Sequence, residues 1–128
     1  MKIRIYIGNF NALIFSCTKT LKPDLMVVVA FRMIPKVVWS IPSEGTFNLH
    51  ASLLPNYRGA APINWVIINQ EKITGVTTFL INEKIDSGEI LLQQELEINS
   101  NDDAGSLHNK LSKIGSELVC DTINGIID

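Results

Sequence analysis

The sequence predicts an α/β fold in which a mostly parallel central sheet is flanked by helices. Two observations support this prediction: the continuous β-branched run at 25–30 is typical of a strand buried on both faces, and the C-terminal part has helical periodicity. The chain has 128 residues, of which 46% are hydrophobic, enough to bury one core. We therefore expect residues 1–128 to form a single domain.

The N-terminal part of the chain is predicted to hold strands. Residues 2–7 and 12–17 are rich in isoleucine and aromatic side chains and flank a turn-like GNFN at 8–11. We expect two short strands there, or one strand and an irregular segment. The run at 25–30, which follows a Lys-Pro-Asp sequence, is the clearest central strand.

The next two elements predict a parallel crossover. A short helical turn over 36–40 precedes Pro42, and residues 46–50 form a brief strand. About fifteen residues separate this strand from the one before it, which suits a right-handed βαβ unit. Two parallel neighbours are therefore expected here.

A loop, a helix and two further strands should follow. The loop covers 52–59, and a helix covers 62–69 because Pro62 suits a first helical turn. Strands over 74–81 and 89–98 are joined by the sequence NEKIDSG. The second of these strands alternates in polarity, which predicts a solvated face that carries Leu91, Gln93, Glu95 and Glu97.

A long amphipathic helix is expected at the C-terminus. Its apolar residues recur at helical spacing between 101 and 127, behind an Asn- and Asp-rich start that can cap a helix. The predicted buried face consists of Leu107, Leu111, Ile114, Leu118 and Ile123.

Composition argues against several functional classes. The net charge is -2 and the basic residues are scattered, so the basic patch of a nucleic-acid binder is missing. Cys17 and Cys120 have neither CxxC nor Cys/His spacing, which argues against a disulfide framework and a zinc site. The N-terminus lacks a signal-peptide cleavage pattern, and the longest apolar run is too short to cross a bilayer. We expect a soluble, cytoplasmic protein without a metal.

Three polar residues are candidates for chemistry. Residues two apart in a strand project to the same side, so Asn48 and His50 can share one space at the carboxyl end of their strand, where α/β sheets bind ligands. Asp86 lies on a second loop that can reach the same crevice. These residues also have ordinary structural interpretations: Asn48 and His50 as polar residues that end a strand, and Asp86 as a residue of a hairpin turn. Arg58 could bind an anion or pair with a nearby carboxylate.

The combination of motifs narrows these alternatives. FNLHASLLPNYRGAAPINW is followed by TGVTTFLINEKIDSGEILLQ, so N-x-H, SLLP-x-YRG-A-A-P and D-x-G elements occur in one order. From about Lys22 to its end, the chain closely resembles the folate-dependent formyltransferase family, and within it the branch that acts on methionyl-tRNA. The resemblance implies a partial Rossmann-like formyltransferase fold.

The resemblance also assigns residues to roles. A catalytic set of Asn, His and Asp falls on Asn48, His50 and Asp86. The segment that lines the pterin pocket falls on Arg32, Met33 and Ile34, and its opposite wall on Asn82, Glu83, Lys84 and Ile85. The substrate loop corresponds to Ser52, Leu53, Leu54, Pro55, Tyr57, Arg58 and Gly59.

The chemistry of formyl transfer gives these residue types a purpose. An amine attacks the formyl carbon of 10-formyltetrahydrofolate, and the oxygen of the resulting tetrahedral intermediate gains negative charge. The amide of Asn48 and a protonated ring nitrogen of His50 can donate hydrogen bonds to that oxygen. Asp86 can favour the cationic imidazole and, through a water molecule, accept the proton that the amine loses. Neither a metal nor a covalent enzyme intermediate is required.

Several interpretations of function remain open at this point. The leading one is formyl transfer from 10-formyltetrahydrofolate to the amino group of methionyl-tRNA, in translation initiation. A formyltransferase for an amino-sugar nucleotide or a small amine would use the same three residues. A non-catalytic folate-binding or assembly fragment is a third interpretation.

The chain also departs from the family pattern. Residues 1–21 do not match the usual start of the family, and the sequence stops near the expected end of the catalytic domain. We therefore expect a truncated catalytic domain that lacks most of the N-terminal part and the C-terminal barrel. Missing strands would leave a sheet edge exposed, which makes a homodimer through that edge plausible.

Overall fold

A computed structural model describes residues 1–7, 12–29 and 33–128 of the chain. Its five strands form one sheet in the order β1-β2-β3-β4-β5, and helices are found between the strands and at the C-terminus. The strands are β1 (Ile3–Ile7), β2 (Leu25–Val29), β3 (Thr46–His50), β4 (Ile73–Leu80) and β5 (Ile90–Glu97). The helices are α1 (Ala12–Leu21), α2 (Lys36–Trp39), α3 (Pro62–Ile68) and α4 (Ala104–Ile127).

Most strands of the sheet run in one direction. Strands β1, β2 and β3 are parallel neighbours. Strand β4 is antiparallel to β3, and β5 is antiparallel to β4, so β4 is the one described strand that runs the other way. The predicted α/β class with a mostly parallel sheet is confirmed, as are the parallel pair on either side of α2 and the hairpin that follows α3.

The prediction of a strand or an irregular segment over 12–17 is wrong, because the backbone forms helix α1 there. Strands β1 and β2 are parallel, with Ile3 paired to Leu25 and Ile7 paired to Val29. Parallel neighbours need a crossover, which is usually helical. This topological requirement outweighs the β-propensity of isoleucine and phenylalanine. The predicted turn at 8–11 and the last residue of the predicted strand, Ala30, lie outside the described residues.

The core lies on both faces of β2. Leu25 and Val27 pack with Phe47 and Val119 on the face that α4 covers. Met26 and Val28 alternate with them and pack with Val38 of α2 on the opposite face. Burial on both faces explains why this strand is uninterrupted in apolar residues.

Helix α4 begins with a capping box. The side chain of Asp103 accepts a hydrogen bond from the backbone N–H of Ser106, and the backbone N–H of Asp103 donates to the Ser106 hydroxyl. Leu107, Leu111 and Leu118 are buried, as their spacing predicts. The helix therefore crosses one face of the sheet with its apolar stripe inward.

A β-bulge modifies the predicted solvated face of β5. Thr78 pairs with Leu92 but Phe79 pairs with Ile90, so Leu91 is an extra residue. Leu91 packs against the core, whereas Gln93, Glu95 and Glu97 are exposed. The predicted solvated face therefore holds for Gln93, Glu95 and Glu97, which follow the bulge, and is wrong for Leu91.

Strand β1 forms one edge of the sheet, and Ile5 on that edge is 57% exposed. The homodimer through a sheet edge stays a prediction. Among the described residues, no helix combines the length and the apolar character needed to span a membrane.

Candidate active site

Asn48 and His50 lie side by side at the carboxyl end of β3. Asn48 pairs with Val28 on one side and with Phe79 on the other, while His50 pairs with Thr77. Both side chains point to the face that carries Val28, and they are only 9% and 7% exposed. The two-residue spacing thus places two buried polar groups together, as the sequence predicts.

The hydrogen bonds of His50 distinguish its two ring nitrogens. Nε2 lies 2.8 Å from the main-chain oxygen of Tyr57. A carbonyl oxygen can only accept, so Nε2 carries the hydrogen. Nδ1 lies 3.8 Å from Oδ2 of Asp86. In the neutral ring Nδ1 therefore presents a lone pair toward Asp86, and after protonation it becomes a second donor.

Asp86 reaches His50 because its loop turns back along the sheet. Strand β4 ends opposite the amino end of β3, where Leu80 pairs with Phe47. A Cβ atom at Gly88 would lie 1.6 Å from the carbonyl oxygen of Leu80, so only glycine fits this close approach. The Leu80 N–H donates to the oxygen of Glu89 at 2.8 Å and closes the loop. The glycine of the D-x-G element is thus a packing requirement.

Two hydrogen bonds join this loop to the loop that contains Arg58. The backbone N–H of Gly59 donates to Asp86 Oδ2 at 2.7 Å, and Arg58 Nε donates to the main-chain oxygen of Asp86 at 2.9 Å. Of the two interpretations offered for Arg58, a nearby carboxylate and an anion, this contact matches neither, since the acceptor is a carbonyl. The carboxylate of Asp86 is held between Gly59 and His50.

The predicted substrate loop is anchored on β4. Thr77 Oγ1 donates to the Ser52 oxygen at 2.7 Å and accepts from the Leu54 N–H at 3.1 Å. Leu53 packs over Gly75, and Leu54 is buried. These contacts fix the first half of the loop, while Pro55 at its turn is exposed.

Tyr57 connects the second half of the loop to the end of α3. Its hydroxyl donates to the Glu71 carboxylate and accepts from Asn69 Nδ2 at 3.0 Å. The Glu71 contact raises the pKa of the Tyr57 hydroxyl above its ordinary value. Ser52 Oγ donates to the Asn56 oxygen at 2.6 Å just before this residue. The carbonyl group that holds His50 Nε2 therefore belongs to a residue with its own anchors.

A first cavity of about 260 Å³ lies between α2 and the loop that carries Asp86. Asn48 and Asp86 line its inner end. The predicted pterin residues that also line it are Met33, Ile34, Asn82, Glu83, Lys84 and Ile85. Arg32, the remaining predicted pterin residue, lies outside the described residues.

Several residues that line this first cavity were not predicted from the sequence. Trp39, Phe79 and Ile81 contribute its apolar walls. Lys36 also lines it and forms an ion pair with Glu83 across its mouth. Lys36 donates a hydrogen bond in this pair, which lowers the pKa of the Glu83 carboxyl. Phe79 lies directly opposite Asn48 in the β3-β4 pair, so the two side chains share one face of the sheet. This pairing is the signal that could have identified Phe79 as a residue of the cavity.

A second cavity of about 830 Å³ lies on the other side of Asn48 and Asp86. His50 lines this cavity, as do Gly59 and the beginning of α3. Its far wall comes from α4, through His108, Leu111 and Ser112. The two cavities share Asn48, Ile85 and Asp86. Of the three candidate catalytic residues, Asn48 and Asp86 therefore stand where the two cavities meet, and His50 lines the second cavity.

Asn48 has an unusual hydrogen-bonding state. Its Oδ1 atom is buried and has no hydrogen-bond partner within the described part of the protein. An unpaired buried acceptor costs about 1–3 kcal/mol, which is typical of a site that a ligand completes. Among the described residues, no group of three or more His, Cys, Asp or Glu side chains could hold a metal ion.

The site brings together three functional groups between the two cavities: the amide of Asn48, the imidazole of His50 and the carboxylate of Asp86. One cavity has apolar walls that suit a flat ring system, and the other opens beside the imidazole. Such an arrangement suits the transfer of a small group from a molecule in one cavity to a nucleophile in the other.

Comparison with known proteins defines the class. Residues 8–123 match the profile of the formyl transferase family, and the chain belongs to this family. Over 108 residues it is 60% identical to the methionyl-tRNA formyltransferase of Flavobacterium psychrophilum, which covers 84% of this chain and 34% of the relative. It is 57% identical over 109 residues to the methionyl-tRNA formyltransferase of Azobacteroides pseudotrichonymphae, with 85% and 34% covered. The chain thus spans about a third of the length of these relatives.

Solved structures confirm the formyltransferase fold. Phosphoribosylglycinamide formyltransferase from Bacillus halodurans superposes with a TM-score of 0.82 at 24% identity, covering 91% of this chain and 60% of that one. The formyltransferase PseJ from Anoxybacillus kamchatkensis gives a TM-score of 0.77 at 21% identity, covering 98% and 76%. The PseJ structure is a complex with UDP-4,6-dideoxy-4-formamido-L-AltNAc and tetrahydrofolate.

Proposed function

We propose that this chain transfers a formyl group from 10-formyltetrahydrofolate to the amino group of methionyl-tRNA, in the cytoplasm, as a step of translation initiation. The observation that carries the proposal is the position of Asn48 and Asp86 at the junction of the two cavities. A formyl group held there is open to a donor on one side and to an acceptor on the other. The similarity to methionyl-tRNA formyltransferases supports the choice of acceptor.

The first cavity is the proposed folate site. Its walls of Ile34, Trp39 and Phe79 suit the flat pterin ring, and residues 82–85 form the opposite wall. The donor, when bound, supplies the formyl group at the inner end of the cavity. The unpaired Oδ1 of Asn48 supports this fit, because it is an acceptor in need of a donor from the ligand.

The proposed reaction begins when the acceptor amine attacks the formyl carbon and forms a C–N bond. The carbonyl electron pair moves to the formyl oxygen, where the amide N–H of Asn48 and the protonated Nδ1 of His50 stabilise the negative charge. The main-chain oxygen of Tyr57 occupies Nε2, so Nδ1 is the ring nitrogen left for this role. Loss of one such donor typically slows turnover by about 10²–10³.

Proton transfer completes the proposed reaction. The nitrogen of the acceptor becomes positively charged when its lone pair forms the C–N bond, and it then loses a proton, which Asp86 can accept through a water molecule. The electron pair on the oxygen then re-forms the carbonyl bond, the bond between the formyl carbon and the nitrogen of tetrahydrofolate breaks, and that nitrogen takes up the proton that Asp86 accepted. Oδ2 of Asp86 lies 3.8 Å from Nδ1 of His50, so the carboxylate stands beside the ring nitrogen that this mechanism uses as a donor.

A second candidate function is formyl transfer to an amino-sugar nucleotide or a small amine. The structural similarity to PseJ, whose complex contains a formamido sugar nucleotide, favours this alternative. The second cavity, at about 830 Å³, has room for either acceptor. A non-catalytic folate-binding fragment, associated as a homodimer through β1, is the outcome if no acceptor is formylated.

The test is an acceptor competition with the whole chain. The protein is mixed with 10-formyltetrahydrofolate labelled in the formyl carbon and with equal concentrations of methionyl-tRNA, an amino-sugar nucleotide and a simple primary amine. We expect the label in formylmethionyl-tRNA. Label in the sugar or the amine would replace the proposed acceptor.

A thermal-unfolding titration with a non-reactive folate analogue accompanies this assay. A ligand at about a hundred times its dissociation constant stabilises a fold by about 2.7 kcal/mol, so binding should raise Tm measurably. A raised Tm without any transfer would identify a folate-binding module. The absence of both signals would contradict the proposed folate site.

A further inference from the structure

The second cavity has a wall that the three candidate catalytic residues do not form. Helix α4 contributes His108, Leu111 and Ser112 to it. Within the described lining, the polar side chains apart from Asn48, His50 and Asp86 are Asn64, His108 and Ser112. Two of these three belong to one helix, and both are exposed to solvent.

A close approach between α4 and β3 puts these residues beside the site. A Cβ atom at Gly115 would lie 2.9 Å from Leu49 Cδ2, so the glycine lets α4 pack tightly on the face of β3 opposite the His50 side chain, and the second cavity, which both Leu49 and His50 line, extends from α4 to His50. Leu111, one turn earlier, is buried against the sheet. His108 and Ser112 are spaced four residues apart and therefore share one face, adjacent to the buried stripe.

The chemistry of this wall indicates what it can bind. Imidazole and hydroxyl groups both donate and accept hydrogen bonds. No Lys or Arg side chain is present in the described lining of the cavity, so the wall is poorly suited to a phosphate. Neutral groups with both donor and acceptor character suit the hydroxyl groups of a sugar.

We propose that His108 and Ser112 bind the sugar hydroxyl of the acceptor and so determine its orientation at the reacting centre. The inference rests on the proposed function, in which the amino acid is esterified to a ribose. A free ribose hydroxyl then lies within a few bonds of the attacking amine. Holding it on α4 places the amine on the side of the cavity that His50 and Asp86 line.

The test is the effect of His108→Ala and Ser112→Ala on the kinetics of each substrate. Each variant should raise the acceptor KM by about threefold to tenfold, because a single neutral hydrogen bond contributes a modest net free energy. The KM for 10-formyltetrahydrofolate should stay within twofold of the wild type, because neither residue lines the first cavity. Asn109→Ala and Ser116→Ala are matched controls on the same helix, exposed and outside the cavity lining, and both should leave all constants unchanged.

A modified acceptor shows whether the contact is with the sugar hydroxyl. When the free ribose hydroxyl of the acceptor is replaced by hydrogen, the acceptor KM of the wild type should rise by the same threefold to tenfold. The double variant His108→Ala, Ser112→Ala should show no further loss with this acceptor. Equal KM values of the wild type and the double variant for the unmodified acceptor would overturn the inference.

A binding measurement separates this inference from the proposed function. Calorimetric titration with an aminoacyl-adenosine in which an amide replaces the ester needs no turnover. We expect the double variant to bind it at least threefold more weakly than the wild type and than both controls. Equal binding, or no binding to the wild type, would overturn the role of α4. Failure of formyl transfer with intact analogue binding would contradict the proposed function alone.

Discussion

The loop that carries Asp86 depends on Gly88, and the substitution Gly88→Ala tests this dependence. The new Cβ atom would lie 1.6 Å from the oxygen and 2.8 Å from the carbon of the Leu80 carbonyl group. Real Cβ atoms essentially never approach within 3.0 Å, so the main chain must move by more than about 1 Å. The movement cannot be absorbed by a flexible side chain, because the obstacle is backbone.

The cost of Gly88→Ala has two parts. Overpacking of this kind costs about 1–3 kcal/mol. The neighbouring hydrogen bond from the Leu80 N–H to the Glu89 oxygen should weaken or break, at about 1 kcal/mol. We therefore expect a loss of about 2–4 kcal/mol in the free energy of unfolding, and a fall of Tm on the order of 10 °C.

Urea unfolding followed by circular dichroism measures this loss. Gly125→Ala is the matched control, since a Cβ atom there meets no atom within 4 Å and the residue lies in α4. Its stability should be unchanged or rise by up to about 1 kcal/mol, because alanine is the better helix former. A Gly88→Ala protein as stable as the wild type would refute the packing argument for the D-x-G element.

Two further substitutions test other parts of the fold. Thr77→Val removes the buried hydroxyl that accepts from the Leu54 N–H, so urea unfolding should show a loss of about 1–3 kcal/mol in the free energy of unfolding, whereas Thr20→Val, at an exposed position of α1, should cost less. A Thr77→Val loss no greater than that of Thr20→Val would contradict the anchoring role. Asp102 has its pKa lowered to about 2, first by Lys110, then by Ser106 and by the backbone N–H of Asn99. The lowered pKa of Asp102 stabilises the fold at pH values above the unfolded-state pKa near 3.9, and this contribution is lost as pH falls through about 2. The difference in the free energy of unfolding between wild type and Asp102→Asn should therefore shrink over that window. A difference in unfolding midpoint that does not change with pH would contradict this assignment.

Strand β2 and helix α4 could be predicted from sequence because burial dictates their composition. Two covered faces require an uninterrupted apolar strand, and one covered face requires the spacing seen at Leu107, Leu111 and Leu118. Helix α1 could not be predicted locally. Its composition favours a strand, and the parallel pairing of β1 with β2, which no local pattern records, requires a crossover.

The candidate site was predictable to a similar extent. The period of a strand brings Asn48 and His50 together, so their adjacency follows from spacing alone. The approach of Asp86 to His50 depends on a reversal of its loop. This reversal is held by the hydrogen bond from Leu80 to Glu89 and by the hydrogen bond from Gly59 to Asp86, and Gly59 is far from the loop in sequence. The contribution of His108 depends on the packing of Gly115 against Leu49, which an exposed histidine in a helical pattern does not reveal.

We propose above all that Asn48 and Asp86, at the junction of the two cavities, carry out the chemistry together with His50, which lines the second cavity. The most direct test of this claim is single-turnover formyl transfer by the wild type, Asn48→Ala, His50→Ala and Asp86→Asn, with folate-analogue binding measured on the same samples. We predict that transfer slows by about 10²–10³ or more in each variant, while His50→Ala binds the analogue as the wild type does, because His50 does not line the first cavity. Transfer at the wild-type rate in either His50→Ala or Asp86→Asn would contradict the claim.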